Sequence, residues 1–468
     1  MFKRVLVANR GEIAVRIINA LREMGIESVA IYSDADRYAV HTSSADYAYA
    51  LNGNTSLEAY SNIEKIIRIA KAAGVDAIHP GYGFLSERAK FAEAVEAEGI
   101  KFIGPKSEII RLMGDKFEAR RFMLSLGVPV VRGSNSIITN FEEAKEIADI
   151  IGYPVLIKAA AGGGGMGMKI AYSEEELKKG LEAVQKKALA DYGDSSVFVE
   201  KYIERPRHIE VQVIGDNYGN YVHLGERECS IQRRHQKVIE EAPSSILTDE
   251  LRKKMGDLAV GIAKAVGYNS VGTIEFIYDN GEFYFLEMNT RIQVEHTITE
   301  MITGIDIVKT QIEIAAGLPL RFKQEDIKLN GHAIECRICA EDPFSSFMPS
   351  PGKIIEFRPP GGFGIRNESG VTAGYEISTY YDSMLAKLIA WGNDRAEAIA
   401  RMRRALQQYV IEGPKTTIPL LWAIMDNEDF KSKNISTKFL EEHKELFEEA
   451  KKFADQTTTL VNLSKIKE

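Results

Sequence analysis

The sequence predicts an α/β (α+β) protein in three parts: an N-terminal doubly wound parallel-sheet domain, a central unit with a glycine-rich lid, and a C-terminal mixed α/β domain. Three observations carry this reading. Short apolar strands alternate with helical patterns through residue 103. From Gly104 to about Asn330 the pattern changes to mixed helices and hairpins. Residues 287–296 then alternate with period two, placing Glu287, Asn289, Arg291, Gln293 and Glu295 on one face of an extended chain and Met288, Thr290, Ile292 and Val294 on the other.

The bounds are consistent with this. A chain of 468 residues exceeds one ordinary core. With 45% hydrophobic and 27% charged residues it is globular. A net charge of -8 argues against a nucleic-acid surface. Three cysteines fit a reducing compartment. Cys336 and Cys339, three apart in an extended chain, face opposite ways and lack a second pair for zinc. Residues 1–4 run straight into a strand, and no run of ~20 apolar residues appears. A cytoplasmic protein without a membrane span is expected.

The elements follow in order. Residues 4–8 form a buried strand, and 9–12 open a helix that runs through Met24 and stops at Gly25. This first turn has a single glycine, so it is not a dinucleotide fingerprint. Residues 79–87, HPGYGFLSE, follow a strand and end at Ser86, the expected helix N-cap. The loop is either a tight turn or a ligand contact.

In the central unit, Asp115-Lys116 opens a helix ending near Gly127. Residues 155–159 form a strand with Lys158 near its end. The glycine run 162–165 comes next, then a strand over 169–172. Glycine N–H groups can close around phosphate oxygens, so this reads as a hairpin lid over a nucleotide or as a surface turn. Residues 197–203 form a strand whose backbone can serve an adenine edge. His208 opens another alternating strand and on its own reads as a surface histidine. Residues 226–237 hold three Arg, one Lys and one His, which is either a solvated run or an oxyanion pocket.

Residues 271–278 and 282–286 form a hairpin around 279–281. Glu275 and Glu287 are candidates for one shared metal ion. A two-residue Asn-Gly turn would pair 275 with 286 and put the two carboxylates on opposite faces. A three-residue loop with a bulge and Gly281 left-handed puts them on one face, and this is the expectation. In the C-terminal part, residues 332–338 form a strand carrying Arg337, and residues 395–409 an amphipathic helix. Residues 447–468 read as a solvated tail.

Eight blocks together resemble the biotin carboxylase family, within the ATP-grasp ligases. They are VANRGEIA (7–14), HPGYGFLSE (79–87), MGDK (113–116), KAAAGGGGMGM (158–168), RRHQKVIEEAP (233–243), EMNTRIQVEH (287–296), HAIECRI (332–338) and YYDSM (380–384). The resemblance spans residues 1–446. It implies an N-terminal domain over 1–103, an ATP-grasp domain over 104–330 with a lid at about 131–204, and a C-terminal domain over 331–446.

The same resemblance implies residue roles. Lys116 and Lys158 match phosphate-binding lysines beneath the lid glycines Gly163, Gly164 and Gly165. Glu200, Lys201 and His208 match contacts on the adenine and ribose side, and Gln232 and His235 are grouped with the nucleotide contacts. Glu275 and Glu287, with Asn289 nearby, match ligands of Mg2+ or Mn2+. Lys237, Arg291, Gln293 and Val294 match the bicarbonate pocket, and Glu295 matches the base that deprotonates bicarbonate. Arg337 matches the arginine beside the biotin ureido oxygen, and Tyr82 flanks the biotin ring. Three positions depart from the pattern: Met166 where the lid often has arginine, Thr297 where proline is common, and Cys339 where asparagine is common.

The implied reaction is ATP-dependent carboxylation of biotin through carboxyphosphate. No Ala-Met-Lys-Met hairpin is found, so the expected substrate is biotin on a separate biotin carboxyl carrier protein. A carboxyltransferase subunit would then serve acetyl-CoA, another acyl-CoA or pyruvate. A homodimer is expected, with Arg16, Glu23 and Arg366 at interface positions. The rival reading is another ATP-grasp ligase that passes an acyl phosphate to an amine.

Overall fold

The computed structural model describes residues 1–134, 136–159 and 168–460. The lid glycines Gly163, Gly164 and Gly165, and Met166, lie outside the described residues.

The N-terminal sheet is parallel, with β1 (Arg4–Val7), β2 (Glu27–Tyr32), β3 (Tyr47–Ala50), β4 (Ala77–His79) and β5 (Lys101–Phe102) in the order β3-β2-β1-β4-β5. Both faces are covered, which is why β1 reads as an unbroken apolar run. Val5 and Val7 pack with Ile13, Ile17 and Leu21 of helix α1 (Gly11–Glu23), while Leu6 packs with Ile31, Ile66 and Phe91 on the other side. Gly25, at φ +70°, lets the chain leave α1 in the left-handed region, as expected. The order reverses between β1 and β4, where open α/β sheets place ligands. There Asn9 Nδ2 donates to the carbonyls of Pro80 at 2.8 Å and Tyr82 at 2.7 Å, so the two loops are tied together. Ser86 is not a helix cap: the following helix is Ala89–Ala97, its N-cap is Arg88, and Ser86 Oγ is buried without a partner.

The lid strands behave as a hairpin. β6 (Val155–Ala159) pairs antiparallel with β7 (Met168–Ala171), Lys158 opposite Met168, and with β8 (Val197–Lys201) on its other edge. The helix Lys116–Ser125 is capped by Asp115, whose carboxylate accepts from the N–H groups of Phe117 and Glu118. Phe117 stacks on Phe198 of β8 at 6.0 Å, so the turn carrying Lys116 is fixed to the lid.

An eight-stranded sheet forms the centre. It contains β9 (Arg207–Gly215), β10 (Tyr221–Arg233), β11 (Gln236–Ala242), β12 (Val271–Asp279), β13 (Glu282–Asn289), β14 (His332–Cys339) and the strands Ile365–Ser369 and Met384–Gly392. The order is β13-β12-β9-β10-β11-β14, then Met384–Gly392, then Ile365–Ser369. The boundary expected at 330/331 therefore does not divide the sheet: β11 pairs directly with β14, Ile239 opposite Cys336 through Ala242 opposite Ala333.

The expected tail is corrected. Residues 445–460 form a helix, Glu445–Leu460. Leu446, Ala450 and Phe453 follow helical spacing and join a core with Leu421 and Ile424. Phe453 stacks on Trp422 at 4.5 Å and 12°. The Lys- and Thr-rich composition hid this three-residue stripe. Residues 461–468 lie outside the described residues. Among the described residues no helix is long and apolar enough to cross a membrane. Phe453→Ala is expected to cost about 3 kcal/mol in urea unfolding, since it empties a stacked core position; a loss below about 0.5 kcal/mol, a surface-residue value, would return the helix to the status of a tail.

Candidate active site

The β12–β13 hairpin sets the site's register. Its turn is the two-residue Asn280-Gly281, with φ +48° and +86°, closed by Asp279 opposite Glu282. The three-residue loop predicted from the sequence is absent. The bulge lies further along: Phe276 pairs with Phe285, the next pair is Glu275 with Glu287, and Leu286 is left over. The slip restores the outcome the hairpin needed, with the two carboxylates directly opposite on one face.

The ladder 287–296 is extended only to Asn289. Residues 290–295 form an irregular loop, and Glu295 is the residue preceding the helix His296–Thr303. The polar side chains converge through bonding, not through pleat. Arg291 Nη1 donates to Gln293 Oε1 at 2.8 Å, Nη2 to Asn289 Oδ1 at 3.0 Å, and Nε to Glu87 Oε2 at 2.7 Å. Glu87 also accepts from the Thr290 N–H at 3.0 Å. Gln293 Nε2 reaches Glu275 Oε1 at 3.1 Å. Ile292 is fully buried and pins the loop to the core.

Lys237 occupies the centre. Its Nζ donates to Glu210 Oε2 at 2.5 Å, Glu275 Oε1 at 2.8 Å and Glu295 Oε1 at 2.6 Å. Arg337 Nη2 holds the other Glu295 oxygen at 3.0 Å, and its Nε donates to Glu240 Oε1 at 2.6 Å. The fully buried Arg227 holds Glu210 at 2.5 Å. Burial alone would raise the Glu295 carboxyl, but Lys237, Arg337 and Arg227 hold it well below the usual carboxylate range. Burial would raise Glu275 too, but Lys237 and His208 outweigh it and leave the carboxyl lowered. Glu287 is raised, first by burial and then by Glu275 across from it. It pairs with Lys116 at 3.8 Å.

His208 is not a surface residue. It is buried, with Nδ1 3.0 Å from Gln232 Nε2 and Nε2 3.1 Å from Glu275 Oε2. Its ring thus faces the carboxylate cluster from β9. Glu200 pairs with Lys158. Lys201 turns its ammonium to the carbonyls of Gly152 at 3.1 Å and Tyr153 at 2.8 Å. The run 226–237 is neither solvated nor an open pocket. Glu226, Arg227 and Glu228 are interior to β10, Arg233 lies over Phe347 at 3.9 Å, and Arg234 and His235 form the exposed turn. Of that run Arg227, Gln232 and Lys237 reach the cluster, and the structure does not bring His235 to it. Val294 contributes its carbonyl to Lys387 Nζ at 2.6 Å. Tyr82 donates its hydroxyl to Glu12.

Sequence reasoning assigned no role to Glu87, Glu210 or Glu240. Glu210 had a legible signal, since it follows His208 by two on one strand and its cross-strand partner is Glu275. Glu87 and Glu240 come from distant loops and strands and had none. Arg16, Glu23 and Arg366 do come together along one groove: Arg16 bonds Glu300 at 2.9 Å and Asp306 at 2.8 Å, and Arg366 bonds Glu300 at 2.7 Å.

Known proteins agree with this geometry. Residues 1–110 match the biotin carboxylase N-terminal domain, 115–323 the carbamoyl-phosphate synthase L chain ATP-binding domain, and 335–442 the biotin carboxylase C-terminal domain. The chain is 56% identical over 444 residues to a pyruvate carboxylase subunit of Methanothermobacter thermautotrophicus, covering 95% of this chain and 90% of that protein. It is 55% identical over 443 residues to biotin carboxylase 1 of Bacillus subtilis, covering 94% and 98%. A structure of the biotin carboxylase domain dimer of Hydrogenobacter thermophilus 2-oxoglutarate carboxylase, with MgADP, ADP and bicarbonate, has a TM-score of 0.92 at 55% identity, covering 96% and 99%. The chain belongs to the biotin carboxylase family.

Beside the cluster, Glu240 and Glu335 are opposite one another on β11 and β14, and the Thr297 hydroxyl donates to Glu335. Burial pushes Glu335 up to about 8, with Lys387 opposing and Glu240 adding. Glu240 is pushed to about 7, with burial again the first cause. Below the ordinary value of 4.5 both folded and unfolded chains hold the Glu335 proton. Between there and about 8 only the folded chain does, so stability falls as pH rises through that window. Glu335→Gln should therefore raise the thermal midpoint, and by more at pH 9 than at pH 5. A gain that is flat with pH would show that Glu335 is ionised throughout.

Proposed function

We propose that this chain carboxylates biotin on a separate carrier protein, using bicarbonate and ATP and releasing ADP and phosphate. The observation that carries the reading is Glu295, ionised and held between Lys237 and Arg337 beside the Arg291–Gln293 loop. An ionised carboxylate can accept the bicarbonate proton. Bicarbonate drawn to Lys237 and Arg291 shares their charge and so raises the proton affinity of Glu295. The deprotonated oxygen attacks the γ-phosphorus as the bond to ADP breaks, giving carboxyphosphate. This collapses to CO2 and phosphate. The phosphate takes the biotin N–H proton, and the nitrogen attacks CO2. The Arg337 guanidinium, charged at every relevant pH, stabilises the ureido enolate.

Glu275 and Glu287 fit a divalent cation: two carboxylates stand opposite each other on one face, and burial, with their repulsion second, raises Glu287. A bound Mg2+ or Mn2+ would neutralise phosphoryl oxygens. Lys116 and Lys158 would hold ATP phosphates, and the β8 backbone the adenine edge. Relatives named as subunits of pyruvate and 2-oxoglutarate carboxylases support a free-standing subunit that works with a biotin carboxyl carrier and a carboxyltransferase. The Arg16–Glu300–Arg366 groove supports a homodimer, and the unpaired cysteines a cytoplasmic location.

The test is ADP release with Mg-ATP, with bicarbonate and free biotin added or omitted in turn. Turnover should need both, and Glu295→Gln and Arg337→Ala should each lose about 10²–10³-fold in kcat. Turnover driven by an amine in place of biotin would overturn the reading.

A further inference from the structure

Lys387 is a fully buried lysine that the proposed reaction does not use. It stands on the strand Met384–Gly392, directly opposite Arg337 of β14. Two cations side by side on one face repel unless each is committed to an acid. Arg337 is committed to Glu240 and Glu295. Lys387 is committed elsewhere: its Nζ donates to the Val294 carbonyl at 2.6 Å and lies 3.3 Å from Glu12 Oε2. Glu12, in the first turn of α1, accepts the Tyr82 hydroxyl with its other oxygen. Glu335, Arg337 and His296 also face the ammonium.

Burying an ammonium is costly, and an apolar side chain would fill the same space without that cost. The bond that retains Lys387 falls on the carbonyl immediately before Glu295. We propose that Lys387 is a positioning residue: it fixes the Val294–Glu295 peptide and, through Glu12, ties it to Tyr82 at the mouth of the 80–87 loop. The Glu295 carboxylate projects from the residue preceding a helix, so the orientation of this peptide sets where the base points. Misplacement by about 1 Å can cost on the order of 10²-fold. The N-terminal layer, the C-terminal strand and the bicarbonate loop are thereby held by one chain of polar contacts.

This inference rests on the reading of residues 291–295 as the bicarbonate pocket. Its test is steady-state kinetics of the full chain with bicarbonate and ATP varied separately, beside thermal midpoints. Lys387→Met keeps the volume and removes the donor. It should raise KM for bicarbonate about tenfold and lower kcat, while KM for ATP stays within about twofold. Lys387→Arg should recover part of the loss. Glu12→Gln keeps an acceptor for Tyr82 and the lysine in place but removes the counter-charge, and should raise bicarbonate KM about threefold. This arm decides the matter if Lys387→Met does not fold. Unchanged bicarbonate KM in folded Lys387→Met or in Glu12→Gln, or equal losses for both substrates, would overturn the proposal. A wild-type chain without bicarbonate-dependent turnover would instead overturn the proposed function.

Discussion

One ammonium group organises this molecule. Lys237 Nζ lies within 2.8 Å of carboxylates from β9, β12 and the loop before the helix His296–Thr303. Without it, Glu210, Glu275 and Glu295 would be three interior anions left to Arg227, Arg337, His208 and Gln293. Each of those carboxylates is at most 5% exposed, so water cannot make up the difference. The three segments can therefore approach only when the lysine is between them. The same group that makes the packing possible leaves Glu295 ionised, which links the stability of the site to its chemistry.

The large sheet spreads that constraint. Because β11 pairs with β14, Lys237 and Arg337 belong to adjacent strands of one hydrogen-bonded layer. The paired carboxylates proposed to hold the metal lie at the β12–β13 edge of the same layer. The proposed metal carboxylates, Lys237 and Arg337 are thus held at fixed spacing by backbone ladders. The lid hairpin β6–β7, with β8, forms a separate small sheet.

Much of this was legible in the residues. The parallel layer was readable because both faces of β1 are covered, leaving an unbroken apolar run. The shared face of Glu275 and Glu287 was readable because two carboxylates at that spacing need a bulge to meet. Where the bulge falls was not readable: Asn280-Gly281 makes a good tight turn unaided, and nothing local marks Leu286 as the extra residue. The ladder 287–296 misled for a related reason. Alternation of residue type looks like pleat, but beyond Asn289 the chain is bent by Glu87, which arrives from about two hundred positions away. The C-terminal helix was missed because three apolar residues among lysines and threonines fall below what composition can show.

Leu286 matters by standing outside the ladder, not by being leucine. It pairs with nothing in the ladder and is 36% exposed, so its side chain is close to replaceable. Its exclusion from the ladder is not. If Leu286 took a place in the ladder, Glu275 would face Leu286, and Glu287 and Asn289 would turn to the opposite side of the sheet with every functional side chain still in the sequence. The site thus depends at this point on strand register and not on residue identity. A comparison of relatives that scored substitutions alone would see a variable position, where the informative quantity is the register that pairs Glu275 with Glu287.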